Sequence, residues 1–74
     1  MNQERPFDLL NKPVGQQVMI KLKNGDDIRG KVVSFDMHMN IVLDNAEQLE
    51  DGNLKAKIGT MLLRGGNILF ISPA

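Results

Sequence analysis

The 74-residue chain is predicted to form an all-β domain, in which a short N-terminal helix precedes a five-stranded, strongly bent antiparallel barrel. Three observations predict this fold. Segments that alternate apolar and polar residues recur along the chain, with turn-forming residues between them. All three prolines lie within the first 13 residues or at position 73, so the interior is free for sheet hydrogen bonds. Gly30, in the middle of the second predicted strand, permits a sharp bend.

Residues 5–12 are predicted to form the helix. Pro6 suits the first turn of a helix, where its missing N–H has no partner to lose. Phe7 and Leu10 share one face at helical spacing. Pro13 then ends the helix, because proline cannot continue the backbone hydrogen-bonding pattern.

The first hairpin follows. Residues 18–22 carry apolar side chains at alternate positions, which predicts a half-buried strand. Asn24-Gly25 comes next and predicts a type I′ turn, in which both central residues have positive φ. The second strand is predicted over residues 27–35. Its glycine at position 30, and a break in alternation near its end, predict strong curvature.

Three further strands are predicted, separated by polar segments. The strands are residues 41–43, 54–63 and 67–72. The segments between the strands are a turn at 36–40, an exposed loop at 44–53 and a tight turn at 64–66.

The last two strands are apolar on both faces. Residues 61–63 and 68–71 are consecutive apolar residues, whereas one face of a small sheet should meet solvent. Either the helix covers the second face, or these strands pair with neighbouring subunits and so protect their open edges. The chain has no cysteine and one histidine, which excludes disulfides and a Cys/His zinc site as stabilising elements. We therefore expect a stable oligomer.

The charge balance restricts the function. Nine basic residues match nine acidic ones, so a broad basic surface for phosphate binding is not expected. Any nucleic-acid binding should use local pockets, or positive charge concentrated by assembly. The sequence shows neither a signal peptide nor a membrane-spanning run, and it suggests no cofactor, which predicts a soluble, cytoplasmic protein.

Two motifs resemble those of the Sm and Sm-like RNA-binding family, in its archaeal form. The first motif occupies residues 17–46 and includes Phe35-Asp36, His38-Met39-Asn40 and two glycines. After the exposed segment 47–53, the second motif occupies 54–72 and includes Arg64-Gly65. Together with the helix, the motifs extend over nearly the whole chain, which would then be one Sm-like domain over residues 1–74.

The resemblance implies an SH3-like barrel, the Sm fold, in a ring of usually seven subunits. In such a ring the fourth strand of one subunit pairs with the fifth strand of the next. The turns at 36–40 and 64–66 would line a central pore that binds uridine-rich single-stranded RNA, one base per subunit. RNA-processing proteins are further possible partners. One departure is Gly66, where the family commonly has Asn or Asp.

The resemblance implies that His38, Asn40 and Arg64 bind the RNA. The Arg64 guanidinium can stack on one face of a base and the His38 ring on the other. The Asn40 carboxamide offers a donor and an acceptor, matching O4 and N3–H of uracil. Because a flipped amide would match cytosine instead, we expect Asp36 to orient it.

Met39 and Gly65 are predicted to support the RNA-binding turns. The residues also allow plainer roles: His38 as an ordinary loop residue, Asn40 as a turn cap and Arg64 as a solvated cation.

An enzyme is not expected, since the sequence has no cysteine nucleophile, phosphate-binding loop or metal cluster. The alternative function is a ring-forming protein scaffold with little or no RNA binding.

Overall fold

Five antiparallel strands form one bent sheet in the computed structural model, which describes residues 14–74. The strands are β1 (Gln17–Leu22), β2 (Asp27–Phe35), β3 (Ile41–Glu50), β4 (Asn53–Leu63) and β5 (Ile68–Pro73), with a short 3-10 turn at Gly65–Asn67. Their order across the sheet is β4-β3-β2-β1-β5. The predicted all-β fold and its five strands are confirmed, whereas the helix predicted at residues 5–12 lies outside the described residues.

The core lies on one face of the sheet. Its fully buried residues are aliphatic and come mainly from alternate positions of β1, β2 and β3: Val18, Ile20, Ile28, Val32, Ile41, Leu43, Ala46 and Leu63. The alternation predicted for the first two strands therefore marks the buried face. The buried side chains hold in place the turns that follow β2 and β4.

Strands β2 and β3 approach each other closely at Gly30. A Cβ at Gly30 would lie 3.1 Å from Cβ of Leu43 and 3.3 Å from Cα of Ala46, so a glycine fits this crossing best. The pairing of β2 with β3 shifts register between Arg29 and Lys31, on either side of this glycine. The bend predicted from the sequence is thus a local irregularity that lets β3 fold across β2.

The first hairpin forms as predicted, but its turn type differs. Gly25 has φ +97°, whereas Asn24 is not among the described residues with positive φ, so the turn is not type I′. The Gly25 N–H donates to the Leu22 carbonyl (2.9 Å), and the Leu22 N–H donates to the Asp26 carbonyl (2.8 Å). These bonds define a three-residue loop with its glycine in the left-handed region. The Asn24 side chain accepts from the Asp26 N–H at 2.9 Å and stabilises this loop.

The prediction of an exposed loop over residues 44–53, including its 47–53 portion, is wrong. Strand β3 continues to Glu50, and only Asp51 and Gly52 turn the chain before β4. Both have positive φ, 53° and 82°, as a type I′ hairpin requires. A bulge around Asn45 (φ 50°) interrupts the alternation of β3, because buried Leu43 and buried Ala46 are three positions apart rather than two or four. The sequence pattern therefore did not reveal this part of the strand.

Strands β4 and β5 are the two edges of the sheet. They also carry most of the large apolar side chains that are exposed in the described chain: Leu54, Ile58, Leu62, Leu69 and Phe70. Leu62 and Leu69 keep about three fifths of their surface, 60% and 61%. Unpaired backbone groups and exposed apolar side chains therefore occur together on both edges, an arrangement typical of strands that pair with another chain.

Candidate nucleic-acid interface

Two turns separated in sequence lie side by side at one end of the barrel. The first, residues 36–40, is closed by the Met39 N–H donating to the Asp36 carbonyl (3.0 Å) and the Asp36 N–H donating to the Asn40 carbonyl (3.1 Å). Met39 has φ 64°, a backbone conformation that reverses the chain sharply. The second turn is closed by the Asn67 N–H, which donates to the Arg64 carbonyl at 3.0 Å.

The carboxylate of Asp36 organises the first turn. Its Oδ1 accepts from the backbone N–H groups of His38 (2.9 Å) and Asn40 (3.0 Å). Its Oδ2 accepts from Nδ2 of Asn40 at 3.0 Å. The side-chain hydrogen bond from Asn40, and then the backbone ones, hold the pKa of Asp36 below its ordinary value of 3.8.

The amide of Asn40 is held from both sides. Besides its bond to Asp36, its Oδ1 accepts from the backbone N–H of Gly65 at 2.8 Å, across 25 positions of sequence. If the amide were flipped, its oxygen would face the carboxylate oxygen of Asp36 and its NH2 would face the N–H of Gly65, and neither pair can form a hydrogen bond. The orientation is therefore fixed, and one Nδ2 hydrogen and one Oδ1 lone pair remain free for a ligand.

Gly65 brings the two turns into contact. A Cβ at this position would overlap the carbonyl oxygen of His38 and lie 2.9 Å from the carbonyl carbon of Met39. No side chain fits there. The sequence predicted that Gly65 supports the RNA-binding turns, but the role of its N–H in holding Asn40 was missed because residue order does not show which distant turns meet.

The other predicted site residues differ in exposure. His38 and Arg64 are exposed, one on each turn, and Asn40 is half-buried between them. Met39 is partly buried and packs its side chain against the core. Gly66 has open space where a side chain would be. The structure thus brings His38, Asn40 and Arg64 to the same two adjoining turns.

Residues 14–74 contain no candidate for a metal site or for a membrane-spanning helix. No three His, Cys, Asp or Glu side chains of this part of the chain lie together as metal ligands would. None of its helical segments is long and apolar enough to cross a membrane.

We predict that the amide protons of His38 and Asn40 report the titration of Asp36. Because the pKa of Asp36 is lowered, the carboxylate that accepts their hydrogen bonds persists below pH 3.8 and is lost only on further acidification. Two-dimensional NMR should show both resonances moving with a common midpoint below 3.8. Asn40→Ala removes the largest cause of the lowered pKa and should raise the Asp36 midpoint, read from its own carboxyl resonance. A wild-type midpoint at or above 3.8 would contradict this prediction.

The comparisons with known proteins all identify similarity to the same family. The LSM domain model matches residues 8–73. An snRNP Sm-like protein of Pyrococcus furiosus is 46% identical over 70 residues, which cover 95% of this chain and 92% of the relative. The structure of a Pyrococcus abyssii Sm protein in complex with a uridine heptamer is similar, with a TM-score of 0.91 and 38% identity over 96% of this chain and 100% of the other.

The P. aerophilum SmAP1 heptamer is similar too, with a TM-score of 0.89 and 44% identity over 99% of this chain and 97% of the other. The family model and the relatives extend over almost the whole chain, including both turns of the site. The chain therefore belongs to the LSM domain family of Sm-like proteins.

Proposed function

We propose that this chain assembles into a ring that binds uridine-rich single-stranded RNA in its pore, one base per subunit, without catalysing a reaction. The observation that carries the proposal is the Asn40 amide, held by Asp36 on one side and by Gly65 on the other. A side chain fixed in this way, with one donor and one acceptor free, is prepared to read the edge of a base.

Uracil fits the free positions of this amide. The Oδ1 lone pair of Asn40 accepts from N3–H of uracil, and the Nδ2 hydrogen donates to O4. Cytosine presents an acceptor at N3 and a donor at N4, so it would need the flipped amide that Asp36 and Gly65 disfavour. The His38 ring and the Arg64 guanidinium, both exposed, are placed to stack on the base.

Assembly is supported by the edges of the sheet and by the relatives. We propose that β4 of one subunit pairs with β5 of the next, which covers the exposed apolar side chains at both edges. The P. aerophilum relative is a heptamer, and the structure of the P. abyssii relative contains a uridine heptamer. A ring of this chain would repeat the same pocket around one axis.

Repeating the same pocket around the ring increases the affinity for a strand that occupies several pockets. Stacking contributes roughly 1–3 kcal/mol per base, and an oligonucleotide bound in one pocket is held at high effective concentration near the next. The ring also concentrates Arg64 of every subunit around the pore, which gives a neutral chain a local positive potential.

Fluorescence anisotropy with labelled ten-nucleotide oligouridine, oligocytidine and oligoadenosine tests the proposal. We expect tight binding of oligouridine and much weaker binding of the other two. Asn40→Ala removes two hydrogen bonds of about 1 kcal/mol each per subunit, so the affinity for oligouridine should fall by at least ~100-fold.

Asn53→Ala is the matched control, since Asn53 is an exposed asparagine at the start of β4, beside the 51–52 turn. It should bind as the wild type does. Asp36→Ala should reduce the preference for uridine over cytidine, because it removes one of the two groups that orient the amide. If the wild type bound none of the three oligonucleotides, the scaffold function would replace RNA binding.

A further inference from the structure

A third loop adjoins the two turns of the site. The loop between β1 and β2, residues 23–26, meets the second turn where the backbone N–H of Lys23 donates to the Asn67 carbonyl at 2.8 Å. Asn67 in turn donates to the carbonyl of Arg64 at 3.0 Å. Lys23 is therefore tied through the backbone to the turn that presents Arg64, although the two residues are far apart in sequence.

Two cations of this region have no ion-pair partner within residues 14–74. The ion pairs between described side chains are Lys21–Asp27, Arg29–Glu47 and Lys55–Glu50. Lys23 and Arg64 are exposed and form no ion pair with any residue of 14–74. Two more cations are unpaired, but Lys31 faces Asp44 across β2 and β3, and Lys57 faces Glu47 across β3 and β4.

Neither carboxylate of these three loops forms an ion pair with Lys23 or Arg64, since Asp26 of the third loop accepts instead from Nδ2 of Asn24 at 3.2 Å. Asp36 directs both of its oxygens to hydrogen bonds from His38 and Asn40. Lys23 and Arg64, on two loops that meet beside the base-reading pocket, therefore remain available to a partner of opposite charge.

We propose that Lys23 contacts a backbone phosphate of the RNA whose base is held at Asn40. The inference rests on the proposed function and adds a phosphate subsite to it. Base pockets carry sequence information, while phosphate contacts set the register of the strand. A lysine suits this task, because its ammonium is a point charge on a long flexible stem and can follow a mobile phosphate.

The test compares Lys23→Ala with Lys23→Arg and with the control Lys31→Ala, which removes an exposed lysine from the middle strand β2. The probe is labelled ten-nucleotide oligouridine, titrated by anisotropy from low to moderate salt. Each phosphate contact on a single strand contributes roughly 0.7 to the slope of log affinity against log salt. Lys23→Ala should therefore lower the slope by about 0.7 for every subunit that contacts the strand, and weaken binding at low salt by about tenfold or more.

Lys23→Arg should keep the wild-type slope, and Lys31→Ala should match the wild type. The preference for oligouridine over oligocytidine should be unchanged in Lys23→Ala, since a phosphate contact does not read the base. An unchanged slope in Lys23→Ala would overturn the inference, and so would lost uridine preference, which would mean that Lys23 only shapes the Arg64 turn. A wild type that fails to bind oligouridine would instead overturn the proposed function, and this is seen before any substitution is made.

Discussion

Gly65→Ala is expected to abolish oligouridine binding while leaving the five-stranded sheet folded. The added methyl group would overlap the carbonyl oxygen of His38 and press on the Met39 backbone, so the two turns must separate. Separation breaks the hydrogen bond from the Gly65 N–H to Asn40 and frees the amide to flip. We expect the affinity to fall by more than ~100-fold, and the free energy of unfolding by about 1–3 kcal/mol, as for other overpacked sites.

Gly66→Ala is the matched control for this prediction. It adds the same methyl group one residue later, where no atom lies within 4 Å of the new Cβ. Anisotropy with oligouridine and urea unfolding should give values close to those of the wild type. If both alanine variants bound oligouridine equally well, close contact of the two turns would not be required for the site.

Leu69→Glu is expected to dissociate the ring into single chains of 8.3 kDa. Leu69 lies on the edge strand β5 and keeps 61% of its surface in the single chain, so the core does not need it. A carboxylate there would be buried against the apolar edge of the next subunit in every interface of the ring. An unpaired buried charge costs several kcal/mol, and the cost is repeated around the ring. Sedimentation equilibrium at micromolar concentration measures the outcome.

Val33→Glu provides the control for assembly. Val33 is also apolar and exposed, at 47%, but it lies on β2, which has a neighbouring strand on each side. This variant should remain assembled. Circular dichroism should show strand structure in both variants, which separates loss of assembly from loss of folding. Dissociation of both variants, or of neither, would argue against pairing through the edge strands.

Much of the fold was predictable because the core depends on local patterns. The alternation of β1 placed Val18 and Ile20 correctly in the core, and β2 has the predicted bounds of 27–35. Gly30 indicated the bend, since a glycine within a strand has few other purposes. The apolar runs of the last two strands left open whether the helix or a neighbouring subunit covers their second face, and the structure places both strands at the edges of the sheet.

The errors arose where backbone irregularity interrupts the pattern. The bulge at Asn45 shifts the buried positions of β3, so its second half looked like a loop. Asp51-Gly52 is the type I′ signal that could have revealed the strand, and it was overlooked within an acidic segment. Asn24-Gly25 was predicted to form a type I′ turn, although a three-residue loop accommodates the same pair equally well.

For the site, the sequence identified side chains more readily than it identified their backbone partners. The hydrogen bond from Asn40 to Asp36 was expected, because a preference for uracil requires a fixed amide and a carboxylate can only accept hydrogen bonds. The second contact comes from the N–H of Gly65, which has no side chain to attract attention. The neighbourhood of Lys23 and Asn67 was equally hidden, since it depends on how β1 and β5 align.

The position of β4 and β5 at opposite ends of one sheet has a consequence for symmetry. Contact between two different edges is heterologous: it joins subunits head to tail, and it closes only if the rotation from one subunit to the next divides a full circle. Any other rotation produces an open helical filament. The angle between the two edges is set by the curvature of the sheet, to which the close approach at Gly30 and the bulge at Asn45 both contribute. In the proposed ring, these irregularities within each chain would therefore determine how many chains complete a turn.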